Sequence, residues 1–341
     1  MQWQAIYEMS RSQTDRARGY YNKNIRVAVA DEVFNVRIPL EGAEPIDVRL
    51  WDEAEILSAI QGKVASAPQL RYASDFPRYQ VHDFIEGTVL DDYAPRGARV
   101  PDHIMHDVVS LISEMSMLPE GSLPELPAGW PKSGDSTGFG LVLSDWTLDV
   151  YRRFQKSHAY LFESLGIPRD PVDGVARRWT DLTPRDYQLV HADLHRKNII
   201  VQRGGAVFID WEFALWGDPV YEMAVHLHKM DYPDGQRADV LAAWAEALRD
   251  RLAGGWRNDI AIYLDHERVK SAIVDTVRYS KAFASSDATP ERIYLARRLR
   301  GKINAARPVW GCSPDVTEEA VWAVLSNWST ITQPFPGAGC V

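Results

Sequence analysis

The chain has 341 residues, 45% of them hydrophobic and 25% charged, with 38 basic against 47 acidic side chains and a formal net charge of −9. These values exclude disorder as the main state and bulk binding to nucleic acid or an anionic membrane, and they suit one two-lobed domain or two domains. The two cysteines, Cys312 and Cys340, make neither a disulfide framework nor a zinc motif. Met1–Arg18 is polar and charged, and no apolar run is long enough to cross a bilayer. The expectation is a cytoplasmic, reduced, globular protein.

In chain order, Ile25–Ala30 and Val33–Ile38 predict two strands joined by a hairpin at Asp31-Glu32. Glu41–Pro45 reads as a loop and Val48–Trp51 as a short extended piece. Ala54, Leu57 and Ile60 recur at helical spacing, and Arg78–Ile85 is a third strand. From Pro101 the apolar residues Ile104, Val108, Leu111, Ile112 and Met115 share one helix face. Residues 117–140 contain Pro119, Pro124, Pro127 and Pro131 and predict a long surface loop, after which Asp145–Leu165 returns to helix. Tyr187–Val190, Ile199–Val201 and Val207–Ile209 are short apolar runs, the last two joined through Gly204-Gly205. From Val220 to about Asn304 the pattern is helical, with no repeat at solenoid period. The order is a small β-rich part over 1–84, then a larger, mostly helical part over 85–341 with a hairpin inside it.

The densest chemical signal is His191-Ala192-Asp193-Leu194-His195-Arg196-Lys197-Asn198, with Asp210 twelve residues beyond Asn198. Apolar strands bracket this polar loop, and a loop held between two buried strands presents side chains rigidly. Asp193, Asn198 and Asp210 supply two carboxylates and an amide oxygen, a hard oxygen set that suits Mg²⁺. A carboxylate left free of metal can orient or deprotonate a hydroxyl.

The form His-x-Asp-x-x-x-x-Asn, followed by Ile-Asp-Trp-Glu and Gly-Asp-Pro, resembles the aminoglycoside phosphotransferase and choline kinase branch of the kinase superfamily, specifically from Gln188 through Ala224. The resemblance implies an α+β, two-lobed, protein-kinase-like fold, with a small β-rich N-lobe and a large, mostly helical C-lobe. It implies that Asp193 is the catalytic base, that His191 buttresses the loop, and that Asn198 and Asp210 hold Mg²⁺ on the phosphates of ATP or GTP. Asp218 corresponds to a structural aspartate that caps the next helix. The family also pairs a basic residue on the third strand with a Glu on the following helix. Arg37 and Glu53, sixteen positions apart, match these places, with Arg standing where the family has Lys. The phosphate-covering loop corresponds to Arg18–Asn24, with Asn22 and Lys23 as contacts. The hinge that reads the base corresponds to His82, Asp83 and Phe84, with Gly87 just beyond.

Two rival readings use the same residues. His191, Asp193 and His195 with His226 and His228 suggest a metal-dependent hydrolase, but His226 and His228 stand two positions apart in a helical run, which points their rings about 200° apart. A pseudokinase is the other, and it conflicts with the presence of the base and both metal ligands. No Ala-Pro-Glu segment follows Asp210, so the resemblance implies a small-molecule hydroxyl as acceptor in place of a peptide. Charge divides unevenly, with a net of −7 over residues 1–120 and +3 over 221–310. A polycationic aminoglycoside wants carboxylates in the helical part. There Tyr232, Trp244, Trp256 and Tyr263 offer rings for a neutral or anionic acceptor instead, such as a nucleoside antibiotic of the capuramycin type. Asp231 with Asp234, or Asp265 with Glu267, is the alternative that receives amines. The expected role is antibiotic resistance by phosphorylation; the runner-up is a metabolic kinase acting on choline, homoserine or a sugar.

Overall fold

The structure is a computed structural model describing residues 2–13, 16–18, 22–40, 46, 48–252 and 254–332. In chain order the elements are α1 (Gln2–Arg11), β1 (Arg16–Arg18), β2 (Asn22–Val29), β3 (Glu32–Pro39), α2 (Glu53–Ile60), β4 (Leu70–Asp75), β5 (Arg78–Asp83), β6 (Thr88–Val89), α3 (Leu90–Tyr93) and α4 (Asp102–Ser116). There follow α5 (Ser136–Phe154), α6 (Ala159–Ser164), α7 (Asp173–Ala176), β7 (Gln188–Val190), β8 (Ile199–Gln202), β9 (Gly205–Phe208) and β10 (Leu215–Gly217). The remainder is α8 (Pro219–Met230), α9 (Asp234–Ala247), α10 (Trp256–Ser285), α11 (Thr289–Ala306) and α12 (Glu318–Thr332). None of these helices is long and apolar enough to cross a membrane.

The chain divides into two compact units, Met1–Gly134 with Pro184–Trp256, and Asp135–Thr183 with Arg257–Val341. The β-rich part and the hairpin with the polar loop both lie in the first unit. In that unit an antiparallel sheet runs β1-β2-β3-β5-β4. Strand alternation sends Ile25, Val27, Phe34, Val36, Tyr79 and Val81 to one face, where Ile6 of α1 completes the cluster. The register Asn24↔Arg37 and Arg37↔Gln80 therefore puts Arg37 on the opposite, polar face. β2 turns into β3 at Ala30-Asp31, with Ala30 at φ 52°, one residue before the expected turn.

The polar loop lies between β7, which pairs with β10, and β8, which pairs with β9 and β6. Helix α4 buries Ile104, Val108, Leu111, Ile112 and Met115, the face its periodicity predicts. In the second unit α5 begins at Ser136, because Asp135 caps it by accepting from the Gly138 N–H at 2.8 Å. Gly140 of α5 lies against Trp179 so closely that a Cβ there would come within 2.4 Å of the ring.

Several elements differ from expectation. The N-terminal stretch is a helix: Trp3, Ile6, Tyr7 and Ser10 recur at helical spacing, and Ile6 and Ser10 are buried. Val48–Trp51 forms no strand, whereas Leu70–Asp75 is one, paired with β5. The loop from residue 117 ends at 135, five residues early, and the helix expected over Asp145–Leu165 is two helices broken at 155–158. The run from Val220 is interrupted at 231–233, 248–255 and 286–288. Gly19, Tyr20 and Tyr21 of the phosphate-covering loop, Glu41–Pro45 and Cys340 lie outside the described residues.

Candidate active site

Arg37 projects from β3 into a cluster of carboxylates. Its Nε lies 3.2 Å from Glu53 Oε2, and its Nη2 lies 2.5 Å from Asp210 Oδ1 and 3.2 Å from Glu212 Oε2. Asn22 faces the same guanidinium; with its amide turned so that the oxygen points at Arg37, as the donors there require, it accepts from Nε and Nη2 at 3.0 and 2.9 Å. Burial works against the charge on Arg37, but Glu53, Asp210 and Glu212 together outweigh it and raise its pKa further. Glu53 is placed by local sequence. Asp52 accepts from the Ala54 N–H, and Glu55 accepts from the Asp52 N–H, a capping box that starts α2 at Glu53. The other Glu53 oxygen accepts the Trp211 N–H at 3.2 Å, so one carboxylate links β3, α2 and the segment after Asp210. Burial pushes Glu53 up against the pull of Arg37.

In the polar loop, Asn198 Nδ2 donates to the Asp193 carbonyl at 3.0 Å and to Asp193 Oδ2 at 2.9 Å. The Ile209 N–H donates to the Asn198 carbonyl at 2.9 Å, tying the loop's end to the residue before Asp210. Asp210 itself is in the left-handed region at φ 69° and opens the short 3-10 turn Trp211–Phe213. Lys229 of α8 donates to Asp193 Oδ1, and His195 Nε2 lies 3.6 Å from Oδ2. Burial would push Asp193 up, but Lys229 and His195 outweigh it and hold the carboxyl well below the usual carboxylate range.

The loop rests on buried supports. Glu222 of α8 accepts the backbone N–H groups of His191 at 2.6 Å and Ala192 at 3.0 Å, and burial pushes its pKa up to about 7. The fully buried His191 ring packs on Trp211 with centroids 4.6 Å apart, and burial lowers its pKa to about 4. Asp218 caps α8 by accepting the Val220 N–H at 2.8 Å and pairs through Oδ2 with Arg185 at 2.8 Å, both side chains fully buried. His226 donates from Nδ1 to the Leu194 carbonyl at 3.1 Å, and Tyr232 donates to its Nε2 at 3.0 Å.

The structure brings together Arg37, Glu53, Asn22 and Asp210, and separately Asp193, Asn198 and His191. Lys23 lies on β2 opposite Ile38. His82 is buried, donates to Gln80 Oε1 at 2.9 Å and has its pKa lowered to about 3 by burial. The N–H of Asp83 is committed to the Gln69 carbonyl at 3.0 Å and that of Phe84 to the Val33 carbonyl at 3.0 Å. As donors to a base edge these two groups are therefore already used.

The four aromatic residues expected to stack on an acceptor are core residues. Tyr232 and Trp256 are 6% and 9% exposed, and Trp244 and Tyr263 are fully buried. Trp244 packs edge-on against Trp256, and Tyr263 lies beside Trp179, so no open ring face remains for a ligand. The carboxylates offered to amines are also engaged: Asp231 pairs with Arg96, Asp265 with Arg178 and Arg268, and Glu267 with Lys270. Among the described residues no group of three His, Cys, Asp or Glu forms a metal site, and His226 is occupied by Leu194 and Tyr232.

The donor chemistry fits Mg²⁺ shared with phosphates. Asn198 commits its amide nitrogen to Asp193 and keeps its oxygen, and Asp210 uses Oδ1 for Arg37 and keeps Oδ2. Both are hard oxygen donors. The sequence reading missed Arg49, Lys229, Glu222, Arg185 and Glu212, although Glu212 stands inside the Ile-Asp-Trp-Glu motif. Glu222 and Lys229 follow Asp218 by four and eleven positions, one face of a 3.6-residue helix, and that periodicity was the available signal.

Comparison with known proteins bears on the fold and the family. Among solved structures, a choline/ethanolamine kinase family protein from Mesorhizobium loti matches with a TM-score of 0.57 at 12% identity, over 95% of this chain and 99% of that one. Macrolide 2'-phosphotransferase type I matches at 0.53 and 18%, over 87% and 96%. A thermostable mutant of aminoglycoside phosphotransferase APH(4)-Ia, in ternary complex with AMP-PNP and hygromycin B, matches at 0.54 and 16%, over 97% and 99%. These likenesses establish the kinase-like fold. No curated protein sequence matches the chain. The family model of the phosphotransferase enzymes matches residues 12–254, which include every residue of both clusters, and the chain belongs to that family.

Proposed function

We propose that this chain transfers the γ-phosphate of ATP or GTP to a hydroxyl of a small-molecule antibiotic. The observation that carries the reading is the Arg37 guanidinium, which contacts Glu53 on α2 and Asp210, a residue 173 positions away, with one planar group. A fork of that kind grips phosphate oxygens bidentately. Mg²⁺ held by Asn198 and Asp210 would neutralise phosphate charge. Asp193, fixed by Asn198 and Lys229, orients the acceptor hydroxyl. As its oxygen attacks the γ-phosphorus, the bond to the β,γ-bridging oxygen breaks and the hydroxyl proton passes to Asp193. A carboxylate held so far below its usual range is a weak base. Its main contribution is therefore orientation, with proton transfer late in a loose transition state.

Lys229 puts a cation in contact with Asp193, where the acceptor hydroxyl has to arrive. That supports a neutral or anionic acceptor, a nucleoside antibiotic of the capuramycin type before an aminoglycoside. A metabolic kinase acting on choline, homoserine or a sugar would use the same clusters.

The test is a mass-spectrometric transfer assay with ATP or GTP and Mg²⁺ against nucleoside antibiotics, aminoglycosides, macrolides, choline, homoserine and sugars, with Asp193→Asn alongside. One added phosphate on an antibiotic, lost in the variant, is the expected result. Transfer to the metabolites alone assigns the metabolic role, and absence of nucleotide binding overturns the phosphotransferase reading.

A further inference from the structure

Glu212 and Arg49 extend the phosphate grip in a way that a lysine at position 37 would not need. Glu212 is 4% exposed, and its Oε2 lies 3.2 Å from Arg37 Nη2 and 3.0 Å from Arg49 Nη2. Arg49 lies between β3 and α2, its guanidinium 5.8 Å from the centre of the Phe213 ring, the residue after Glu212. Asn22, Arg37, Arg49, Glu53 and Glu212 line one polar cavity of about 270 Å³.

The hydrogen bonds of Arg37 are unevenly divided. Nε serves Glu53 and the Asn22 amide oxygen, and Nη2 is shared among Asp210, Glu212 and Asn22. Asp210 is also a donor to the cation that accompanies the nucleotide, so its hold on Arg37 and its hold on that cation compete for one carboxylate. A guanidinium is planar and swings about Nε when one of its anchors is withdrawn. Glu212 is the charged anchor that stays on Nη2, beside the neutral Asn22 amide, and Arg49 holds the same Glu212 oxygen.

We propose that Glu212 and Arg49 are positioning residues that keep Arg37 aimed at the nucleotide phosphates when Asp210 engages the cation. The proposal rests on the nucleotide-binding reading above and adds to it a second carboxylate and a second guanidinium. The role belongs to an arginine grip. A lysine places one ammonium near Glu53 and has no second nitrogen for Glu212 to hold.

Calorimetric titration of AMP-PNP, with Mg²⁺ and in EDTA, tests this on wild type, Glu212→Gln, Arg49→Met, Arg37→Lys and Arg37→Lys/Glu212→Gln, each checked by circular dichroism. With Mg²⁺, Glu212→Gln and Arg49→Met are expected to weaken binding roughly tenfold, and in EDTA by about twofold or less. Adding Glu212→Gln to Arg37→Lys is expected to change affinity by less than about twofold, because the two act through one contact. Affinities within twofold of wild type for both single variants in Mg²⁺ overturn the proposal. A loss of equal size with and without Mg²⁺ also overturns it, since a purely structural role predicts that pattern. Arg49 is a third exposed, so Arg49→Met keeps the test open where Glu212→Gln does not fold. Wild-type protein that binds no AMP-PNP overturns the phosphotransferase reading itself and this proposal with it.

Discussion

Lys229, in the last turn of α8, is ion-paired with Asp193, 36 positions earlier in the chain, and the two side chains are 26% and 10% exposed. The pair sets both the charge state of Asp193 and the stability of the loop that carries it. Removing the cation leaves a nearly buried carboxylate with only Asn198 and His195 beside it among the described residues. Lys229→Met is expected to destabilise the fold by about 1–3 kcal/mol, below the full cost of breaking a buried pair because the ammonium is partly solvated. Asp193→Asn added to Lys229→Met should restore a measurable part of that loss. Urea unfolding of the three proteins measures it; a double variant no more stable than Lys229→Met would refute the coupling.

Arg185 and Asp218 are a different case, since both side chains are fully buried at 2.8 Å. Asp218 also caps α8, so removing Arg185 takes a cation away from a fully buried carboxylate that holds a helix end. Arg185→Met is expected to cost about 3–5 kcal/mol in chemical denaturation. A cost under about 1 kcal/mol would mean that the pair contributes little beyond its packing.

Glu222 gives the fold a pH dependence of predictable sign. Burial raises its pKa from 4.5 to about 7 in the folded chain. Between those values the native state binds more protons than the unfolded state, so the contribution of Glu222 is fully present below pH 4.5 and falls as pH rises towards 7. Glu222→Gln copies the protonated form and does not titrate. Relative to that variant, wild type should lose about 3 kcal/mol of stability between pH 4.5 and 7.5. Parallel stability curves for the two proteins would exclude the effect.

His226 has the opposite sign. Burial lowers its pKa to about 4, with Nδ1–H held by Leu194 and Nε2 held by Tyr232. Its contribution is complete above the unfolded histidine value, 6.5, and is lost as pH falls towards 4. His82, lowered to about 3, adds a loss of the same sign. Stability measured from pH 7 to pH 4 should therefore drop more steeply in wild type than in His226→Gln. Equal slopes would show that His226 takes no part.

Gly87 lies where β6 meets β8, and a Cβ there would come within 2.6 Å of the Val201 carbonyl oxygen and 2.7 Å of Ile200 Cγ2. The first of these contacts is backbone and cannot swing aside. Gly87→Ala is expected to lower stability by about 1–3 kcal/mol, read as a drop in the thermal midpoint. An unchanged midpoint would mean that the strand pair shifts without cost.

The polar loop was legible because its signal is local: apolar strands of three or four residues bracket Asp193 and Asn198, and the Gly204-Gly205 turn returns the chain to Asp210. Glu53 entered through the family resemblance, and the capping box that places it at the start of α2 is a feature of the structure. The matches that the family resemblance added, Arg37 to Glu53 and Asp218 to the start of α8, agree with the ion pair and the cap. The acceptor rings were misread because Trp and Tyr on a helix carry no mark that separates a binding face from a core face. Burial decided that, and it buried all four. The N-terminal helix was missed because its mean polarity hid Trp3, Ile6 and Tyr7 at helical spacing, a face with meaning only once the sheet exists to receive it.

By itself, then, the sequence determined what depends on neighbours a few residues away: strand alternation, caps, turns, and the order and spacing of the chemical residues. Tertiary structure alone decided the contacts across 36 to 175 positions: Lys229 on Asp193, Arg37 shared between Asp210 and Glu212, and Arg49 closing the cluster. The physical reason is that charge pairing has no period. A carboxylate or guanidinium on a solvated face and one drawn into a buried cluster read alike in sequence, and only the packed chain sets the distance and the burial that separate them.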